Sequence, residues 1–229
     1  MDEGIGREPA SVGDVVGVMR AMEAQLPAAD GIAVFNRVYL SVTEEIERRL
    51  AAAEFGDLAA ATELSVRFAG RYLAAIADDR AGRRPPACWR PLLRMRGRSG
   101  VHPLQFALAG INAHIGHDLA LAVVDTCRAT GRELPALKAD FDRVGEVLTL
   151  IEERVREELM PGPDLLDRAD PLTHLVGSWS LDRARDAAWA AARLLWALRD
   201  IEDAYEECVG RLDAAVGLIG RFLLTPLDR

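Results

Sequence analysis

Three of the four histidines in this chain lie within a span of sixteen residues, and a carboxylate directly follows the last of them. They are His102, His114 and His117, followed by Asp118, and the last three of these four residues lie in the apolar stretch LQFALAGINAHIGHDLALAVVDTC. Clustered imidazole and carboxylate groups can bind a divalent metal or transfer protons. The cluster predicts where chemistry would take place, although it identifies neither a substrate nor a reaction.

The spacing within this stretch places the ionisable residues on one face of a helix. At about 100° per residue, side chains at positions i, i+3 and i+4 converge, and His114, His117 and Asp118 have this spacing. Gly110 lies on the same face one turn earlier, where the lack of a Cβ would let a ligand or a neighbouring helix approach closely. We therefore expect an imidazole and a carboxylate to face the interior.

Three interpretations of this cluster are open. His102, His114, His117 and Asp118 can bind a divalent metal, Zn or Fe, if ligands from elsewhere complete the site. Further ligand candidates are His174, Asp167 and Asp170. Alternatively, Asp118 can orient His114 for metal-free acid–base catalysis, or the two can form a buried hydrogen-bonded pair that holds the helix against its neighbours. No H-E-x-x-H motif and no E-x-x-H pair supports the metal interpretation.

A basic segment directly precedes His102, and it contrasts with the formal net charge of -8 of the whole chain. Residues 81–101 contain no acidic residue, and seven arginines lie between positions 80 and 98. Because guanidinium groups bind carboxylate and phosphate in a bidentate manner, we predict an anion clamp from Arg94, Arg96 and Arg98. The alternative is a solvated connector that pairs with surface carboxylates elsewhere in the chain.

Asn36, Tyr39 and Asn112 are further candidates for substrate binding, because they are polar side chains in apolar helical stretches. Buried amides need hydrogen-bond partners. Asn36 and Asn112 therefore either orient a ligand or make hydrogen bonds between helices.

Composition argues against several classes of partner and location. The net charge of -8 disfavours binding to nucleic acids and to anionic membranes, since both depend on cationic neutralisation. No segment has eighteen uninterrupted apolar residues, so we predict no membrane-spanning helix. The acidic N-terminus lacks the apolar core of a secretory signal, and Cys88, Cys127 and Cys208 show no C-x-x-C spacing. We predict a cytoplasmic protein with reduced, mostly buried cysteines.

Apolar residues recur at intervals of three and four through nearly the whole chain, which predicts an all-α fold. We expect a single-domain bundle of six to eight mostly antiparallel helices over residues 11–229, preceded by a disordered N-terminus at 1–10. The predicted N-caps are Ser11, Asp30, Asp57 and Ser180, and Pro103 suits the first position of the histidine helix.

Several boundaries follow from prolines, glycines and helix length. Residues 80–101 predict a connector with one short helical turn, and the histidine helix should reach Thr130 and end at Gly131. A further helix is expected over 138–159. The long helical region after Ser180 should break between Leu198 and Glu202, because an unbroken helix of that length is unusual in a globular domain.

Four segments together resemble a family of helical proteins of unknown function that is widespread in actinobacteria, the DUF5995-like proteins. The segments are DGIAVFNRVYLSVTEEI (30–46), the Pro-Ala-x-Trp step ending at Trp89, PLQFALAGINAHIGHDLALAVVDTC (103–127) and RDAAWAAARLLWALR (185–199). The resemblance extends over about residues 14–224. It implies a single-domain helical protein and carries no function over.

The most specific part of the resemblance is the segment Asn-Ala-His-Ile-x-x-Asp-Leu. Asn112, His114 and Asp118 match this segment, whereas the family often has Asn at the position of His117. The departure weakens the metal interpretation that depends on His117. It favours His114 and Asp118 as the functional unit.

The function favoured by the sequence is an enzyme that acts on a small anionic, partly apolar molecule between helices. His114 would be the acid–base group or a metal ligand, and Asp118 would be its partner. The reaction would be metal-dependent hydrolysis or a metal-free isomerisation, cyclisation or elimination. The alternative is a non-catalytic protein that binds a ligand or a partner and in which the His–Asp pair is structural. A homodimer is compatible with either hypothesis.

Overall fold

The computed structural model describes residues 9–147 and 180–226, and within these ranges the chain is a bundle of helices without strands. The predicted all-α, single-domain fold is therefore confirmed. The helices are α1 (Val12–Gln25), α2 (Gly31–Ala51), α3 (Leu58–Arg80), α4 (Arg90–Met95), α5 (Pro103–Ala113), α6 (Leu119–Thr130), α7 (residues 138–147), α8 (Leu181–Leu198) and α9 (Glu202–Leu223).

Some predictions fall outside the described residues. They are the disordered N-terminus up to residue 8, the helix from 148 onward, and the candidate ligands Asp167, Asp170 and His174.

The predicted N-caps begin the helices that they were expected to begin. Side-chain oxygens of Ser11, Asp30 and Asp57 accept hydrogen bonds from backbone N–H groups in the first turns of α1, α2 and α3, at 3.1, 2.8 and 3.0 Å. Ser180 does the same for α8, at 3.3 Å. Each cap satisfies a donor that the helix itself cannot pair, so these boundaries follow from local chemistry.

The connector and the breaks also agree with the sequence. α3 ends at Arg80, and the only described helix within residues 81–101 is α4, a short helix of six residues. Pro103 is the first residue of α5, Gly131 ends α6 in the left-handed conformation at φ 65°, and the break between α8 and α9 lies between Leu198 and Glu202. The cysteines in the described residues are free, and Cys88 and Cys127 are buried.

One long helix forms the centre of the bundle. It runs from Pro103 to Thr130 through α5, a π-helical turn at His114–Asp118, and α6. Its α5 part packs against α2 and α9, and its α6 part packs against α3 and α8. By length and composition it could cross a membrane, but 89% of its most apolar window is buried inside the bundle. This burial is consistent with the core helix of a soluble protein.

Glycines let the central helix and its neighbours approach closely. A Cβ on Gly110 would overlap with the ring of Phe35 in α2, and a Cβ on Gly31 would lie 2.7 Å from the ring of Phe106. The close approach expected at Gly110 is therefore made by a neighbouring helix. This crossing brings the aromatic side chains of α2 against the histidine turn.

The glycine crossing can be tested with a matched pair of substitutions. Gly110→Ala should lower the free energy of unfolding by about 1–3 kcal/mol, because the buried Phe35 ring must shift. Gly70→Ala in α3 is the control, since its Cβ would have no neighbour within 4 Å. The control should be neutral or stabilise by up to about 1 kcal/mol through helix propensity. Equal effects in urea denaturation would contradict the packing described here.

Candidate functional site

A π-helical turn interrupts the central helix at the histidine cluster. The backbone N–H of Leu119 donates to the carbonyl of His114, which is an i to i+5 hydrogen bond in place of the usual i to i+4 bond. The wider turn lets both His114 and His117 reach the carboxylate of Asp118. The sequence predicted that these three residues share a face, but it did not predict the π-helical turn.

The carboxylate of Asp118 accepts three hydrogen bonds in the protein interior. Nδ1 of His114 lies 3.0 Å from Oδ2, Nδ1 of His117 lies 2.8 Å from Oδ1, and the indole Nε1 of Trp89 donates to Oδ2 at 2.9 Å. Because an ionised carboxylate only accepts, both histidines donate through Nδ1. Only 1% of Asp118 is exposed, so these three donors replace the water that would otherwise solvate the charge.

The charge state of the cluster follows from its environment. Burial by itself raises the pKa of Asp118, but the hydrogen bonds from His114 and His117 and the charge interactions with them together outweigh burial and bring the pKa below its ordinary value of 3.8. Burial lowers the pKa of His114 below its ordinary 6.5, and Asp118 offsets this effect only in part. At neutral pH the cluster therefore contains an anionic carboxylate and a neutral His114.

Aromatic rings surround His114. Its imidazole stacks on Phe68 with ring centroids 3.6 Å apart, and it meets the edge of Tyr39 at 4.4 Å. Among the described residues, no group forms a hydrogen bond with its Nε2. The nearby cavity lined by Tyr39 and Phe68 has a volume of about 20 Å³, enough for one water molecule. This geometry favours the buried hydrogen-bonded pair among the three interpretations of the cluster.

His102 lies apart from the other histidines. Its Nδ1 accepts from the backbone N–H of Leu104 at 3.2 Å, and its own backbone N–H donates to Gln105 at 2.9 Å, which caps α5. At 1.5 Å rise per residue, His102 and His114 are about 18 Å apart along the helix axis. The predicted metal site that combined His102 with His114, His117 and Asp118 is therefore not assembled.

The predicted substrate-binding residues on α2 and α5 make contacts within the fold. The amide of Asn36 donates to the carbonyl of Met19 at 3.0 Å and accepts from the hydroxyl of Tyr72 at 3.2 Å. Asn112 donates to the carbonyl of Val216 at 3.0 Å. Both amides thus make the hydrogen bonds between helices that the sequence offered as the alternative. Tyr39, the third of these residues, packs on His114.

The three arginines of the predicted anion clamp point to different places. Arg96 forms an ion pair with Asp30 at 2.7 Å, which ties the end of α4 to the start of α2. Arg98 is exposed. Arg94 lines a groove between α4 and α9. Arg94, Arg96 and Arg98 therefore do not come together as one clamp.

The groove between α4 and α9 has a volume of about 500 Å³, and the described residues that line it include three arginines, Arg90, Arg94 and Arg221. Within the described residues none of the three forms an ion pair, and Nε of Arg90 is buried without a hydrogen-bond partner. Among the residues that the structure describes, no acidic side chain lines the groove. The other lining residues are Ala87, Pro91, Met95, Ala214, Gly217, Leu224, Thr225 and Pro226.

Sequence reasoning missed a second polar cluster beside the histidine turn. Cys88, His117 and Asp213 lie with their potential ligand atoms within 4.8 Å of one another. Asp213 also accepts from the backbone N–H groups of Ala87 and Cys88, both at 2.8 Å. Burial and the charges of Asp118 and Asp213 raise the pKa of the Cys88 thiol. No local motif links residues 88 and 213, so only the fold reveals this cluster.

Removing the buried carboxylate should destabilise the protein more than removing one of its donors. Asp118→Ala would leave three N–H donors buried without an acceptor and should cost about 3–5 kcal/mol of unfolding free energy. Trp89→Phe removes a single donor and should cost about 1.5–3 kcal/mol. Asp125→Ala on the same helix is the control, because its ion pair with Arg71 is partly exposed and contributes about 1 kcal/mol or less. A loss of 1 kcal/mol or less in Asp118→Ala would contradict the network.

The neutral state of His114 predicts a dependence of stability on pH. Below its ordinary pKa of 6.5 the unfolded chain protonates this residue while the folded chain does not, so the free energy of unfolding falls as the pH is lowered. The slope from this residue should reach at most about 1.4 kcal/mol per pH unit. His114→Gln should lose this slope. Identical slopes in urea denaturation of both proteins would exclude this assignment.

Comparison with known proteins identifies a family and nothing closer. No curated protein and no solved structure matches this chain. The model of one family of unknown function matches residues 12–226, which covers nearly the whole chain. The chain belongs to this family, DUF5995.

Proposed function

We propose that this protein binds a small anionic, partly apolar molecule in the groove between α4 and α9. The observation that carries the proposal is the set of three groove arginines, Arg90, Arg94 and Arg221, none of which has an ion-pair partner among the described residues. In this proposal the protein is a non-catalytic binding protein, and the buried His114–Asp118 pair has a structural role.

The charge pattern supports an anion as the occupant. The chain has 36 acidic and 28 basic side chains, so carboxylates for pairing are abundant. Other arginines use them: Arg20 pairs with Glu44 at 2.7 Å, and Arg96 pairs with Asp30 at 2.7 Å. The three groove arginines have no such partner among the described residues, so their guanidinium groups are available to an anion. A carboxylate or phosphate satisfies several guanidinium N–H donors at once.

The rest of the lining supports an apolar portion in the ligand. Pro91, Met95 and Leu224 contribute apolar surface beside the arginines. The volume of about 500 Å³ lies within the range of about 300–1,000 Å³ that is typical of small-molecule sites. A ligand with an anionic head and a short apolar body matches this combination.

The environment of His114 argues against the catalytic hypotheses that the sequence favoured. Both hydrolysis and proton transfer by His114 require a substrate near its Nε2. That atom is buried, its ring packs against Phe68 and Tyr39, and His114 does not line the cavity of about 20 Å³ on the other side of these two residues, which has room only for a water molecule. The proposal keeps the ligand expected from the sequence, a small anionic and partly apolar molecule. It places this ligand in the groove between α4 and α9 instead of beside His114.

Thermal shift with a panel of small molecules tests the proposal. Hexyl phosphate and hexanoate should raise the melting temperature by about 5–10 °C at a hundredfold excess over Kd, and neutral hexanol at equal concentration should not. Arg90→Gln and Arg221→Gln should abolish the shift, because each removes a cation from the groove. Arg98→Gln is the matched control, since this exposed arginine does not line the groove.

Two outcomes would overturn the proposal. One is an equal shift with hexanol and hexyl phosphate, since binding would then not require an anion. The other is a wild-type response in the Arg90→Gln and Arg221→Gln variants. Inorganic phosphate at the same ionic strength separates binding of the anionic head from binding of the whole amphiphile.

A further inference from the structure

Three metal-ligating side chains converge where the segment before α4 meets α9 and the π-helical turn. The ligand atoms of Cys88, His117 and Asp213 all lie within 4.8 Å of one another. Nε2 of His117 and Oδ1 of Asp213 are 4.0 Å apart. In a tetrahedral zinc site, metal–ligand distances of about 2.0–2.3 Å place neighbouring ligand atoms about 3.3–3.8 Å apart. Side-chain shifts of about 1 Å would therefore bring the three donors to coordination distance.

The orientation of His117 supports a metal site independently of this proximity. Nδ1 of His117 donates to Asp118 at 2.8 Å, so in the neutral ring Nε2 carries the lone pair. Nε2 is also the nitrogen that lies near Asp213. A histidine that ligates a metal through one nitrogen and donates to a carboxylate through the other is the usual arrangement in zinc proteins. Asp118 thus holds His117 as an outer-shell carboxylate would.

The other two donors are also held in place. Asp213 accepts from the backbone N–H groups of Ala87 and Cys88 at 2.8 Å, and each of its oxygens has a second lone pair available. The Asp213 side chain is 22% exposed, which leaves a route for an ion from solvent, whereas Cys88 is buried. One thiolate, one imidazole and one carboxylate form a donor set that suits Zn²⁺ or Co²⁺ and does not suit Mg²⁺ or Ca²⁺.

We propose that Cys88, His117 and Asp213 bind one Zn²⁺ ion per chain, with a fourth coordination position open to water or to a bound anion. Ala87 and Ala214, the chain neighbours of two ligands, line the arginine groove, so the metal site borders that groove. The proposal does not depend on ligand binding in the groove. Of the metal ligands expected from the sequence, the proposed site keeps only His117. Cys88 and Asp213 take the place of His102, His114 and Asp118.

Cobalt substitution of the full-length protein tests this site. After treatment with a chelator, the wild-type protein should bind one Co²⁺ per chain and show a thiolate-to-cobalt charge-transfer band together with the intense visible absorption of four-coordinate cobalt. Zn²⁺ should displace the cobalt and bleach both features. Cys88→Ser should lose the charge-transfer band. Cys127→Ser, which replaces an equally buried cysteine elsewhere, should keep it.

Two further variants test the remaining ligands. Asp213→Asn and His117→Asn should each weaken Co²⁺ binding by more than about tenfold, since even outer-shell changes cost that much. Circular dichroism of each variant verifies that it is folded. Absence of the charge-transfer band in the wild-type protein overturns the proposal without reference to any variant. Retention of the band in folded Cys88→Ser, or unchanged affinity in folded Asp213→Asn, overturns it as well.

Discussion

The interaction on which the rest of the structure depends is the buried Asp118 carboxylate with its three N–H donors. A carboxylate removed from water costs several kcal/mol unless hydrogen bonds replace its solvation. Here two donors come from the π-helical turn and the third from Trp89, which is completely buried. The carboxylate thereby joins the central helix to the segment that precedes α4, and the rings of Tyr39 in α2 and Phe68 in α3 pack against His114 at this junction.

This junction positions both candidate sites, because Trp89 lies between Cys88 and Arg90 in the chain. The ring of Trp89 fixes the segment from the side of the central helix, and Asp213 fixes it from α9 through the backbone N–H groups of residues 87 and 88. Gly217 permits the approach of α9, since a Cβ there would lie 2.5 Å from the carbonyl oxygen of Ala87. Three consecutive residues therefore have separate roles: Cys88 is a ligand of the proposed metal site, Trp89 donates to Asp118, and Arg90 lines the groove.

Much of the fold could be predicted from the sequence because its boundaries are local. Helix caps such as Ser11 and the end at Gly131 depend on residues within one turn. The shared face of His114 and Asp118 follows from helical periodicity in the same way. The hydrogen bond from Trp89 to Asp118 spans 29 positions and the contact between Asp213 and Cys88 spans 125, so no periodicity reveals them.

The central claim is that both histidines of the turn donate to an ionised Asp118, and NMR of ¹⁵N-labelled histidine tests it most directly. At neutral pH the imidazole nitrogens should report protonation at Nδ1 in both His114 and His117, and a free lone pair at Nε2 of His114. The indole N–H of Trp89 should exchange slowly with solvent. Protonation of His114 at Nε2, or a doubly protonated His114 at neutral pH, would contradict the account.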